Sequence, residues 1–277
     1  MNSRKHIDWL LPPDEPVTEY EARMLEDGQG GAHTDESSIR NTSYFRSKPH
    51  KQQIQLILKR LQRPVRLQEF ERAGYDSHVL RELLAEGKIL SPCRGIYIAR
   101  GEYDPFLLAL ACLSLGRTDY TIGLHSAARI HGLISVDSPD LHIFVGSGWT
   151  VRHCGNYGMT SIKWTNSFTE VDECGAEPTA ESLEYWGIEL QSIYGVRMRV
   201  TSAARTVCDL LRFMDRVSIP VSDGTIQGRE IAFDALKAFS ESGDLDEVLT
   251  LATRLGCEDE IGNYLDLVRR YAPNGPR

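Results

Sequence analysis

Between residues 50 and 100 the apolar positions recur first at helical and then at strand spacing. Ile54, Ile57, Leu58 and Leu61 fall at i, i+3, i+4 and i+7, the stripe of an amphipathic helix, and Pro64 ends it. Leu67 and Phe70 mark a short second helix stopped by Gly74. Asp76 is placed to cap a third helix whose buried face reads Val79, Leu80, Leu83 and Leu84, with Gly87 closing it. Ile89-Leu90 and Ile96-Tyr97-Ile98 are strand-like runs around the turn-rich Ser91-Pro-Cys-Arg-Gly95. Helix, helix, glycine turn, helix and hairpin, in that order, predict a winged helix-turn-helix.

After Tyr103-Asp-Pro105 the pattern changes. Phe106 to Leu115 predicts a buried helix, and Ser126-Ala-Ala-Arg-Ile130 lies within another. Leu141-His-Ile-Phe-Val145 predicts a strand. Val196, Met198 and Val200 alternate with Arg197 and Arg199, the period of a half-buried strand. Thr201 or Ser202 then caps a helix holding Val207, Leu210, Leu211 and Met214. Three more helices are expected near 228–242, 244–255 and 259–271, separated by Gly243-Asp244 and Gly256. At the other end, Pro12-Pro13, Pro16, Gly28-Gln-Gly-Gly31 and the polar run Thr34 to Ser38 predict a weakly structured arm. The expected class is α+β: an acidic arm over 1–46, a winged helix-turn-helix over 47–100, and a larger mixed domain over 101–277. The last would hold a central sheet and C-terminal helices.

Composition narrows the setting. The longest apolar run, Phe106 to Leu113, is far short of the ~20 residues of a membrane span, and no apolar leader opens the chain. A cytoplasmic chain with no membrane partner is expected. The six cysteines, at 93, 112, 154, 174, 208 and 257, form no Cys-x-x-Cys pair, so they read as reduced thiols and not as a disulfide frame or zinc site.

Charge changes the picture more. The net charge of −8 is unevenly spread. Residues 1–45 hold four Lys/Arg against nine Asp/Glu, residues 46–100 twelve against five, and residues 101–277 fifteen against twenty-five. The basic segment coincides with the predicted winged helix, which points to double-stranded DNA. In that fold the third helix enters the major groove. With its apolar face turned inward, Ser77, His78, Arg81 and Lys88 face out. Arg81 suits a bidentate fork on guanine, while Ser77 and His78 lie at the positive end of the helix dipole. Arg94 tips the hairpin, and Lys51, Lys59, Arg60, Arg63 and Arg66 are available for phosphate contacts. The bland alternative is that Arg81 pairs with Glu82, Glu86 or Glu71 on the surface.

Reaction chemistry is harder to find. His125 and His131, six apart, do not share a helix face, and nothing in the spacing joins His142, His153 and Cys154. Asp140 followed by Ile162-Lys163 hints at a nuclease sheet, but Ser161 stands where the second carboxylate would be. Glu170, Asp172 and Glu173 read as a solvated acidic loop, and there is no phosphate loop, nucleophile elbow or His-Glu-x-x-His. A non-enzymatic protein with no metal and no cofactor is expected. Two alternatives remain open. One is a winged-helix repressor with a ligand-sensing or oligomerisation domain and no toxin partner. The other is a metal-dependent nuclease, which requires at least two of Asp137, Asp140, Glu170 and Asp172 to converge.

Four blocks in order resemble the AbiEi family of type IV antitoxins. They are Leu80-Arg-Glu-Leu-Leu-Ala-Glu-Gly-Lys-Ile with Arg94-Gly-Ile-Tyr97; Leu124-His-Ser-Ala-Ala-Arg-Ile-His-Gly-Leu133; Leu141-His-Ile-Phe-Val145; and Val196-Arg-Met-Arg-Val-Thr-Ser-Ala-Ala-Arg-Thr-Val-Cys-Asp-Leu210. The resemblance covers roughly residues 50–270; the acidic arm and Cys208 depart from it. It implies a phage-defence protein of two parts. The winged helix would bind inverted repeats in the promoter of its own operon and repress it. The C-terminal domain would counteract a nucleotidyltransferase-like toxin, without a stable complex being required. His125, Ser126, Arg129, Arg205 and Asp209 belong to the resembling blocks. Read from their residue types, Ser126 caps the helix that follows, His125 closes a polar contact, and Arg205 and Asp209 form an i,i+4 pair worth a few tenths of a kcal/mol.

Overall fold

Ile54, Leu56, Ile57 and Leu58 are all buried on α1 (His50–Leu61), one more than a single stripe supplies. The computed structural model to which this helix belongs describes residues 49–116, 120–145, 153–154, 157–163, 180–221 and 224–271. The arm expected over 1–46 lies outside them. Gln62 turns left-handed at φ 47° and ends α1 before Pro64. Then come β1 (Val65–Arg66), α2 (Leu67–Arg72), α3 (Ser77–Ala85), β2 (Ile89–Cys93) and β3 (Ile96–Ala99). Strand β1, too short to announce itself by alternation, completes a three-stranded sheet of order β1-β3-β2.

The turn between α2 and α3 is built by its sequence. Gly74 sits at φ 88°, and the Tyr75 N–H reaches back to the Phe70 carbonyl at 2.9 Å, the longer bond of a Schellman close. Asp76 then accepts from the His78 N–H at 2.7 Å, as its position predicted. Phe70 fills the centre, edge-on to Tyr75 and Tyr97 at 6.2 and 6.4 Å, and it is joined there by Leu80, Leu83 and Ile89. The expected inner face of α3 is too wide: Val79 is half-buried and Leu84 is 39% exposed. Leu80 and Leu83 alone fill the space left by the neighbours of this nine-residue helix, and Leu84 lies 100° beyond Leu83.

Helix α4 (Pro105–Gly116) has no polar face, and it is buried on nearly every side from Phe106 to Leu113. Asp104 caps it, accepting from the Phe106 and Leu107 N–H groups at 2.8 and 3.1 Å. The first compact unit comprises the described residues through Gly116 together with Ser192–Val196. It therefore holds α4, which the sequence assigned to the domain beginning at 101. Within it the Asp104 N–H donates to the Tyr194 hydroxyl at 2.9 Å.

The second unit is mixed α+β. Strands β4 (Tyr120–Ile122), β5 (Asp140–Val145), β6 (His153–Cys154), β7 (Tyr157–Lys163), β8 (Ile188–Ile193) and β9 (Val196–Thr201), the last two belonging to this unit outside Ser192–Val196, form a sheet of order β6-β7-β5-β4-β9-β8. β5 runs parallel to β7 and β4 to β9, while β4–β5 and β6–β7 are antiparallel. Val196, Met198 and Val200 face inward from β9, as the alternation predicted. The helices are α5 (Leu124–Ile130), α6 (Ala180–Tyr185), α7 (Ala203–Phe213), α8 (Gly228–Ser240), α9 (Leu245–Arg254) and α10 (Glu258–Tyr271). A hairpin, β10 (Ser218–Val221) and β11 (Gly224–Gln227), stands before α8. Helix α7 is the centre: Val207, Leu210 and Leu211 meet Ala128, Phe144, Ile231, Leu236, Val248, Leu251 and Ile261 in one core. No helix among the described residues is long and apolar enough to cross a membrane.

Candidate nucleic-acid interface

The outward face of α3 carries His78 and Arg81 exposed and Ser77 half-buried at its first position; Lys88, just beyond the helix, and Arg94, in the hairpin turn, are exposed too. Gly95 takes φ 75° in that turn, and its carbonyl accepts the Leu67 N–H at 2.7 Å, which ties the turn to the start of α2. Among the described residues Arg81 pairs with no acid. Its Nε leans on the Ser77 carbonyl, one turn back, at 3.5 Å. The acids have other partners: Glu82 and Glu86 hold the Lys51 ammonium at 3.0 and 2.6 Å, and Glu82 also faces His78 Nδ1 at 3.2 Å. The hydrogen bond from Lys51 keeps the Glu82 carboxyl below the usual carboxylate range.

The remaining cations divide in the same way. Arg63 is bound to Glu69 at 3.3 Å and to the Pro64 carbonyl. Glu69 accepts from the Arg66 N–H at 3.1 Å, closing the first turn of α2, and the Arg66 side chain is half-buried. Arg100 donates to the Gly87 carbonyl at 2.8 Å. Three exposed cations, Arg81, Lys88 and Arg94, thus point to solvent, while Lys51 and Arg63 are each paired with acids. Spacing along the chain does not reveal the latter, because Lys51 and Glu86 are thirty-five residues apart.

In the second unit the residues of the resembling blocks are tied into the interior. Ser126 does not cap α5. The helix begins two residues earlier, after Gly123, and the Ser126 hydroxyl accepts the His142 N–H at 2.8 Å, fastening helix to strand. His125 is fully buried, with Nε2 2.9 Å from the Val136 carbonyl, so Nε2 carries the proton. Its ring meets that of His142 edge-on at 5.5 Å, a contact the sequence did not announce. Burial drives both imidazoles toward the neutral form, His125 from 6.5 to about 4 and His142 from 6.5 to about 3. Arg129 is paired with exposed Asp137.

Ser202 caps α7, accepting from the Arg205 N–H at 3.2 Å. Arg205 Nε then meets Asp209 Oδ2 at 2.8 Å, and Nη1 donates to the Trp186 carbonyl at 2.6 Å. The i,i+4 pair was foreseen, but not its setting. Both side chains are 1% exposed, so the magnitude of a surface pair does not apply. Gly187 makes room for this pair: at φ 65°, it would place a Cβ 2.9 Å from Arg205 Cβ.

Among the described residues no three of His, Cys, Asp and Glu are gathered to hold a metal. Asp137 is taken by Arg129, while Glu170 and Asp172 lie outside the described residues. No family model matches the chain, and no curated protein does. Among solved structures, the crystal structure of the RV2827C protein from Mycobacterium tuberculosis is similar at a TM-score of 0.37. It shares 12% identity, with 91% of this chain and 82% of that chain covered.

Proposed function

We propose that the first unit is a winged helix-turn-helix that binds double-stranded DNA, with α3 as its reading helix. The observation that carries the proposal is Arg81: exposed on the first turns of a helix, held by no acid among the described residues, and next to His78 and Ser77. A guanidinium so placed can fork onto guanine O6 and N7. Lys88 and Arg94 supply further phosphate contacts; Lys51 joins them on exchanging Glu82 and Glu86 for the DNA backbone. The experiment is binding of the full chain to DNA from upstream of its own reading frame across a salt series. A steep fall in affinity with salt and a preference for an inverted repeat support the reading; flat salt dependence removes it.

On the resemblance to AbiEi antitoxins rests the larger proposal. The chain represses its own operon and counteracts a nucleotidyltransferase-like toxin through its C-terminal domain, with no catalysis of its own. In support, the resembling residues of that domain, His125, Ser126, Arg205 and Asp209, are tied into its interior, as scaffold residues are. The test is growth rescue of cells expressing the toxin encoded beside it. A full-length variant with Arg81 and Lys88 replaced should lose repression and keep rescue. Loss of both functions together would reject the division of labour.

A further inference from the structure

Cys208, on the central helix α7, departs from an otherwise aliphatic pattern, and the DNA-binding reading does not use it. Its Sγ lies 3.9 Å from that of Cys257, forty-nine residues away, and both thiols are free. Cys208 is fully buried and Cys257 7% exposed. Cys257 occupies the short link between α9 and α10, just after Gly256 at φ 66°, and its carbonyl accepts the Ile261 N–H at 3.1 Å in the first turn of α10. A disulfide needs the sulfurs at about 2.05 Å, an approach of roughly 2 Å. The Cys257 N–H donates to the Ala252 carbonyl at 2.9 Å, so the link is anchored to both helices and the approach falls to rotation of the two cysteine side chains.

We propose that Cys208 and Cys257 are an oxidation site that a hydroperoxide converts to a reversible disulfide joining α7 to the start of α10. The two thiols have different parts. The hydrogen bond from Cys208, aided by the nearby Arg212 charge, holds the Cys257 thiol below its usual range, whereas Cys208 is pushed up. Cys257 therefore attacks first. Its thiolate takes the terminal oxygen of the hydroperoxide, the O–O bond breaks, and the leaving oxygen departs protonated as water or an alcohol. The sulfenic acid formed on Cys257 is then attacked by the Cys208 sulfur; the S–O bond breaks, and the hydroxide leaves as water with the Cys208 proton. Two thiols and one hydroperoxide thus give one disulfide, water and the reduced peroxide, and a dithiol reductant reverses the change.

The experiment uses the reduced full chain treated with hydrogen peroxide, followed by alkylation under denaturing conditions, trypsin and mass spectrometry. The expected product is peptide Thr206–Arg212 joined to Leu255–Arg269, two hydrogens lighter than their sum, and lost on treatment with dithiothreitol. Cys208→Ser trapped with dimedone should carry the adduct on Cys257. Cys208 and Cys257 fully alkylated at a peroxide dose that already oxidises the half-buried Cys93 would overturn the site. An adduct on other cysteines, with Cys257 unmodified, would overturn the order of attack. The wild-type cross-link reads the proposal even where the serine variant fails to fold.

Discussion

Two short helices each carry an i,i+4 contact between a basic and an acidic side chain, and the molecule treats the two oppositely. On α3, His78 and Glu82 stand 65% and 41% exposed. On α7, Arg205 and Asp209 are both 1% exposed. Water already solvates the first pair: Glu82 is shared with Lys51, and partners can be exchanged at small cost. The second pair has left water, and its attraction offsets a desolvation cost of several kcal/mol per ion. A surface for binding is made of the first kind of charge, whereas a scaffold can use the second. The contrast follows from what packs around each helix. Helix α3 buries only Leu80 and Leu83, whereas α7 is buried at every position from Ala204 to Leu211.

The contrast can be pressed in order of expected effect. Asp209→Ala should remove about 3–5 kcal/mol from the second unit, read from urea or thermal unfolding, because it strands the Arg205 charge. Arg205→Met with Asp209→Leu should recover most of that loss. A single variant as stable as the wild type would place the pair in water after all.

Acid should weaken the same unit through its two histidines. Above about pH 6.5 both are neutral, folded or unfolded, and contribute no pH dependence. Below it the unfolded chain takes up protons that the folded chain refuses until about pH 4 at His125 and about pH 3 at His142. By pH 5 that amounts to about 2 kcal/mol per histidine, and stability falls as pH falls. His142→Phe, which keeps a ring and removes a proton site, should flatten the urea midpoint between pH 7 and pH 5. Parallel curves for variant and wild type would exclude this source.

On α3 the effects move from stability to binding. Arg81→Ala should cost about 1–3 kcal/mol in specific DNA affinity and relax preference at one base pair, with the unfolding midpoint unchanged. Operator binding measured against a panel of single-base changes separates this from a general loss. The smallest effect is assigned to Glu82→Gln. It should leave stability unaltered and tighten DNA binding a few-fold at low salt, since it removes a negative charge and one of the two carboxylates that hold Lys51. Weaker binding would mean that Glu82 positions Lys51 for DNA.

Local chemistry settled much of this in the sequence. Periodicity, Gly74 and Asp76 wrote the three helices and the turn between them, and alternation wrote β9, because these patterns depend on neighbours within a few residues. The three C-terminal helices, punctuated by Gly243-Asp244 and Gly256, were equally readable. Short strands such as β1 and β4, of two and three residues, carry too few positions for a period to show. The site was legible to the same extent. Which face of α3 holds Ser77, His78 and Arg81 follows from a 100° step; that Glu82 and Glu86 turn to Lys51 does not. Ser126 on the His142 backbone, His125 against His142, and Cys208 beside Cys257 join residues sixteen, seventeen and forty-nine apart. Only the packing of helix on sheet and helix on helix chose them, and it also decided that the Arg205–Asp209 pair lies in the interior. Spacing fixes which side chains can meet along one helix, and burial fixes what the meeting is worth.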